Sequence, residues 1–95
     1  MSEAGKITFR THAIQRMFQR RIDENDVRSI LEAGETIERY PNASPYPSSL
    51  ILGWMGKRPL HVVAADNSAD NETIVVTVYE PEQDKWSLDF KRRIP

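Results

Sequence analysis

At 95 residues and 11.0 kDa the chain has material for one hydrophobic core and too little for two, so a single domain over 1–95 is expected. An apolar fraction of 39% with 28% charged residues excludes a disordered or fibrous chain, and the absence of cysteine excludes a disulfide scaffold and thiolate chemistry. A net charge of −1 excludes a protein that coats nucleic acid through bulk attraction.

That small sum hides segregation. Residues 1–21 carry +4, 22–40 carry −4, 41–65 carry +2, 66–89 carry −6, and Lys91, Arg92 and Arg93 add +3 at the end. Such blocks permit a local phosphate-sized site, or are solvated surface. No apolar run approaches the roughly 18 residues of a membrane span, and no basic-then-apolar leader opens the chain, so a cytoplasmic protein without membrane contact is expected. Two histidines cannot close a structural zinc site without carboxylates, so neither metal nor cofactor is expected.

In chain order, Lys6 to Phe9 alternates as a short edge strand, and Thr11 can cap the helix that follows. From His12 to about Arg20, Ala13, Ile14, Met17 and Phe18 form one apolar stripe, with His12, Arg16, Gln19 and Arg20 opposite. Asp23 starts a second helix over about Glu24 to Ala33. Glu24 and Asp26 favour its positive end, Ile22 and Val27 have staple spacing, and Gly34 can close it in the left-handed conformation. Glu35 to Tyr40 then alternates as a strand, and Pro41, Asn42, Ser44, Pro45 and Pro47 make a loop.

Leu50 to Met55 reads as a buried strand with Trp54 in the core. Gly56-Lys57 is a hairpin turn, and Arg58 to Ala65 returns antiparallel with Pro59 near its start. After the polar loop Asp66 to Glu72, the β-branched run Thr73 to Tyr79 is the strongest strand, stopped by Pro81. Leu60, Val62 and Ala64, with Ile74, Val76 and Val78, are expected beneath the helices. Glu82 to Pro95 is a last strand, a short helix or an ordered tail, with 91–95 free to flex. The whole is an α+β domain: a short N-terminal strand, two helices, then a three- to four-stranded antiparallel sheet.

No phosphate-binding glycine loop, metal motif or nucleophile elbow is present. Instead, His12, Arg16 and Arg20 recur every four residues along one helical ridge, a row of cations that needs an acidic neighbour, such as the second helix, or an anionic ligand. His61, Thr77 and Tyr79 share the sheet face away from the helices, where an imidazole, a hydroxyl and a phenol can serve acid–base chemistry, or His61 is simply a hydrogen-bonded structural residue. Cleavage of RNA without metal needs a base for the 2′-hydroxyl, a cation for the phosphate oxygens and an acid for the leaving 5′-oxygen. His12, Arg16, Arg20, His61 and Tyr79 supply those groups. With the helices on the other face, the ridge and His61 can meet only around the sheet edge. Tyr40, Tyr46, Trp54 and Trp86 can stack bases or anchor the fold, and Tyr46 between two prolines is expected to be exposed.

Thr11-His12-Ala13, Gln15-Arg16-Met17, Arg20, Val27, Ile30, Leu31, Gly34, Pro45-Tyr46-Pro47, the strand from Arg58-Pro59-Leu60 to His61-Val62-Val63, Thr77-Val78-Tyr79-Glu80-Pro81 and Trp86 together resemble the bacterial domain-of-unknown-function family 4258. The resemblance spans nearly the whole chain and rests on the order and spacing of short motifs. It implies a RelE-like or barnase-like ribonuclease fold, and a toxin paired with a zinc-finger antitoxin-like protein. The family pattern marks His12, Arg16, Arg20 and His61, with Tyr79 as a lesser member. The reading is therefore a metal-independent endoribonuclease with RNA and an antitoxin as partners, against a non-catalytic binding module. A homodimer through the sheet edge or the Trp86–Phe90 segment is a further expectation.

Overall fold

The computed structural model describes residues 5–95; the start of the expected 1–95 domain, with the charge of Glu3, lies outside the described residues. Among the described residues, five strands and two α-helices follow in order: β1 (Lys6–Phe9), α1 (Thr11–Arg20), α2 (Glu24–Ala33), β2 (Glu35–Tyr40), β3 (Ser48–Met55), β4 (Arg58–Asn67) and β5 (Glu72–Tyr79), with a single 3-10 turn over Ser68–Asp70 between the last two. They form an α+β domain on a five-stranded sheet of order β1-β5-β4-β3-β2. All neighbours are antiparallel except β1, which adds a parallel edge to β5 through the register Lys6↔Glu72 to Phe9↔Val75.

The start of α2 and the ends of both helices have local causes, whereas α1 begins at Thr11 behind Arg10 with no side-chain cap, contrary to the expected Thr11 cap. Asp23 caps α2 by accepting from the Asn25 amide at 3.1 Å, and Asp26 reaches back to the Asp23 amide at 3.2 Å, a reciprocal capping box. Arg21, not a glycine, takes the left-handed conformation that ends α1 (φ 57°). Gly34 closes α2 with extended backbone (φ −74°), contrary to the left-handed expectation. The reason for glycine there is space, because a Cβ would lie 2.6 Å from the Ile30 carbonyl oxygen. Gly53 answers the same close approach from β3, where a Cβ would fall on the Ile30 side chain.

Both faces of the sheet are covered. On one, Ala13, Met17, Ile22, Val27 and Ile30 pack on Leu60, Val62, Val75 and Val78. On the other, Leu50 and Leu52 lie under Trp86 and Phe90, carried by the irregular C-terminal strap that follows Pro81. The strap neither forms a long strand nor coils into a helix. It folds on itself through a Trp86↔Arg93 bridge and an Ile94 amide bond to the Lys85 carbonyl at 2.9 Å.

Three core assignments differ from the sequence reading. A bulge on β5 places Val76 between the pairs Val63↔Thr77 and Ala64↔Val75. It inverts the alternation, so Val75 rather than Ile74 and Val76 joins Val78 under the helices, while Thr77 and Tyr79 keep the His61 face. Trp54 is 52% exposed because β2 stops pairing at Leu52 and leaves the end of β3 uncovered. On α1, only Ala13 and Met17 are buried; Ile14 and Phe18 are 54% and 85% exposed, since this short helix rests on β5 along a narrow seam. Met17→Ala is therefore expected to cost about 2–5 kcal/mol in chemical denaturation, and Phe18→Ser less than about 0.5 kcal/mol. Comparable losses from both would show that Phe18 is held in a core. Tyr46, expected exposed, is half-buried.

Candidate functional site

The arginines of α1 are placed by what the helix buries. With Ala13 and Met17 turned to the sheet, Arg16 and Arg20 stand one turn apart on the flank of the buried seam, away from Ile14 and Phe18. Pairing of β1 with β5 ends at Val75, so Val76–Tyr79 has no strand on its outer side. At that open edge a hollow of about 280 Å³ is lined by Arg16, Arg20, Thr77, Tyr79, Glu80, Glu82, Lys85 and Trp86.

Its charges are unevenly spent. Arg58 holds Glu80 through two contacts of 3.1 and 3.2 Å and also donates to the Arg20 carbonyl at 3.1 Å. Lys85 pairs with Glu82 at 3.5 Å. Among the described residues, no carboxylate lies within 4.0 Å of the Arg16 or Arg20 guanidinium, so the acidic second helix does not neutralise the ridge. Two cations are left over in a hollow whose acids already have partners, which is a local preference for an anion.

Behind this hollow, β4 and β5 set His61 directly opposite Tyr79. His61 is fully buried, and both ring nitrogens are engaged: Nε2 to the Phe90 carbonyl at 2.9 Å and Nδ1 to the Tyr79 hydroxyl at 3.1 Å. A carbonyl only accepts, so Nε2 carries the proton, Nδ1 is the acceptor, and Tyr79 donates inward. The Trp86 ring meets the imidazole edge-on at 4.4 Å. Burial holds the His61 pKa below its ordinary 6.5, against the Phe90 carbonyl, with Arg93 lowering it further and Glu38 opposing. Burial likewise raises the Tyr79 phenol, against the pull of Arg93. Beside them Tyr40 donates to Glu38, and Arg93 reaches Glu38 at 3.5 Å and stacks on Trp86 at 4.7 Å.

A histidine buried neutral ties stability to pH. The unfolded chain protonates near 6.5 and the folded chain only below it, so the contribution of His61 is complete above 6.5 and is lost as pH falls through the folded value. Urea denaturation is expected to show stability falling from pH 6.5 downward, already above about pH 5 where carboxylates remain ionised. His61→Gln should flatten that slope, and an unchanged slope would exclude His61 as its source.

The five candidates therefore divide. Arg16, Arg20 and Tyr79 line one hollow, and His61 stands behind it, bonded to Tyr79. His12 is exposed on α1 one turn before Arg16 and is not among the residues lining the hollow. Sequence reasoning missed Arg58, whose pairing with Glu80 spans 22 positions, and Lys85, whose segment had no assigned structure. It also missed the Phe90 carbonyl, because a backbone atom leaves no mark in the choice of side chain. Among the described residues, no cluster of three His, Asp or Glu side chains is arranged to hold a metal ion, and no helix is long and apolar enough to cross a membrane.

The class defined by this fold and site is a small α+β domain, with helices on one sheet face, a C-terminal strap on the other and a cationic hollow at the open edge of β5. A family model, the domain of unknown function DUF4258, matches residues 9–80, and the chain belongs to that family. The match takes in Arg16, Arg20, His61 and Tyr79 and ends before the strap. No curated protein and no solved structure matches the chain.

Proposed function

We propose that the chain is a metal-independent endoribonuclease of RelE-like type, the cytoplasmic toxin of a toxin–antitoxin-like pair, which grips the scissile phosphate of RNA with Arg16 and Arg20. The observation that carries this reading is the pair of arginines, unpaired among the described residues, beside Tyr79 at the open edge of β5. Guanidinium groups bind phosphate oxygens as forks and stabilise the charge that grows on them in the transition state.

In this mechanism the 2′-oxygen attacks phosphorus as its proton passes to the Tyr79 oxygen, while the Tyr79 proton moves to His61 Nδ1. The resulting imidazolium keeps its Nε2–H bond to the Phe90 carbonyl. His12 stands outside the hollow, one turn before Arg16, so a phosphate gripped at the Arg16 end of the ridge is the one whose leaving 5′-oxygen it reaches and protonates; the products are a cyclic 2′,3′-phosphate and a 5′-hydroxyl end. His61 acts only through Tyr79, because it is buried from any substrate.

A second reading is a non-catalytic binding module. It is favoured by one observation: both nitrogens of His61 are already satisfied inside the fold, as in a purely structural histidine. Incubation of the purified chain with single-stranded RNA and a chelator separates the two. Cyclic-phosphate ends are expected for the nuclease, and intact RNA would leave only the binding module.

A further inference from the structure

The opposite end of the sheet holds a hollow of different character. Past Leu52, β3 has no β2 partner, and between its open edge, the end of α2 and the strap lies a space of about 470 Å³. Ala33, Gly34, Glu35, Trp54, Asp89 and Lys91 are among its walls.

Three features there point the same way. The Trp54 indole is half exposed, touching the Phe90 ring edge-on at 6.0 Å and otherwise open toward the hollow it lines. The Asp89 carboxylate is fixed through Oδ1 by the Ser87 hydroxyl at 2.6 Å and the Lys91 amide at 3.1 Å, bonds that hold it ionised. Among the described residues, no cation lies within 4.0 Å of it, because the Lys91 ammonium is spent on Glu35 at 3.0 Å. Finally, α2 ends here with no basic residue in its own last turn, so none of its own side chains offsets the negative end of its dipole at the hollow.

A flat π-face, a held carboxylate and a helix carboxyl end select a cation, and the indole favours a planar one. We propose that this hollow binds the guanidinium of an arginine side chain on a partner polypeptide, stacked on Trp54 and bonded to Asp89. A lysine ammonium satisfies the carboxylate without stacking. A nucleobase stacks without neutralising the charge. Guanidinium does both, and unlike an imidazolium it stays charged at every working pH.

The test is a titration of the full chain with N-acetyl-arginine amide, following the Trp54 indole N–H by NMR, with the neutral isostere N-acetyl-citrulline amide as control. A saturable shift is expected with the arginine compound, and binding weaker by about tenfold with citrulline, the loss of a charge-assisted bond. Asp89→Asn keeps the Oδ1 acceptor that orders the turn and should weaken arginine binding by a similar factor. Trp54→Leu, which removes that probe and is followed instead by the Lys91 backbone amide bonded to Asp89, should weaken binding about fivefold with little change in thermal midpoint. No shift, equal binding of citrulline, an unchanged response in Asp89→Asn, or preference for a nucleoside would overturn the proposal.

Discussion

Arg16→Ala and Arg20→Ala are each expected to lower RNA cleavage by about 100-fold or more while leaving the thermal midpoint unmoved. The two effects separate because of where these side chains sit. Both are exposed, and among the described residues neither pairs with a carboxylate within 4.0 Å, so the fold loses no charge partner when they go. In the proposed mechanism, a phosphate held between them loses half its forked donors and the positive charge opposite its developing oxyanion. Lysine at either position restores charge without the fork, and an intermediate rate is expected. Single-turnover cleavage of a short RNA, with denaturation of the same preparations, makes the measurement. If both variants cleave as the parent does, the activity belongs to another site or to a contaminant, and the hollow at β5 is not a phosphate site.

The parts of this fold legible in sequence are those whose causes are local. Asp23, Asp26 and the Ile22/Val27 pair announce α2, and its bounds fall at Glu24 and Ala33 as read. The alternation of Arg58 to Ala65 fixes a strand that puts His61 on the face away from the helices, and Tyr79 follows onto that face. What escaped depends on neighbours distant in the chain. The bulge at Val76 keeps Tyr79 where alternation put it but brings Val75 across to the helices, and only pairing with β4 decides that. Parallel addition of β1 to β5 determines how much of β5 stays open, and with it whether Arg16 and Arg20 have an edge to reach around. The stripe on α1 holds four apolar residues, but a helix seated against one strand buries only two, so Ile14 and Phe18 stay outside. The strap was least legible. Its fold is set by what lies beneath Trp86 and Phe90, not by its own periodicity.

The strap also sets the proton arrangement of the site, and Trp86→Ala is the change expected to reveal it. The indole is 4% exposed, packs with Leu50, Leu52 and Phe90, meets His61 edge-on and carries Arg93 on its face. Removing so large a buried ring costs about 3–5 kcal/mol, a large share of what a domain of this size possesses. The loss does not stop at packing. Phe90 bonds back to Ser87 at 2.8 Å beside Trp86, and the Phe90 carbonyl is the group that assigns the proton to Nε2 of His61. Once the strap loosens, water replaces that carbonyl, the burial that depresses the imidazole is relieved, and its pKa returns toward 6.5. Nδ1 then no longer presents a fixed acceptor to Tyr79. An NMR titration of His61 in the folded fraction of Trp86→Ala is expected to show that upward movement, together with a shallower dependence of stability on pH below 6.5. Trp86→Phe, which keeps an aromatic edge on the imidazole, should lose less stability and retain the depressed pKa. If Trp86→Ala loses stability while His61 titrates as in the parent chain, the strap contributes packing alone and the proton arrangement of the Tyr79–His61 pair is set within the sheet.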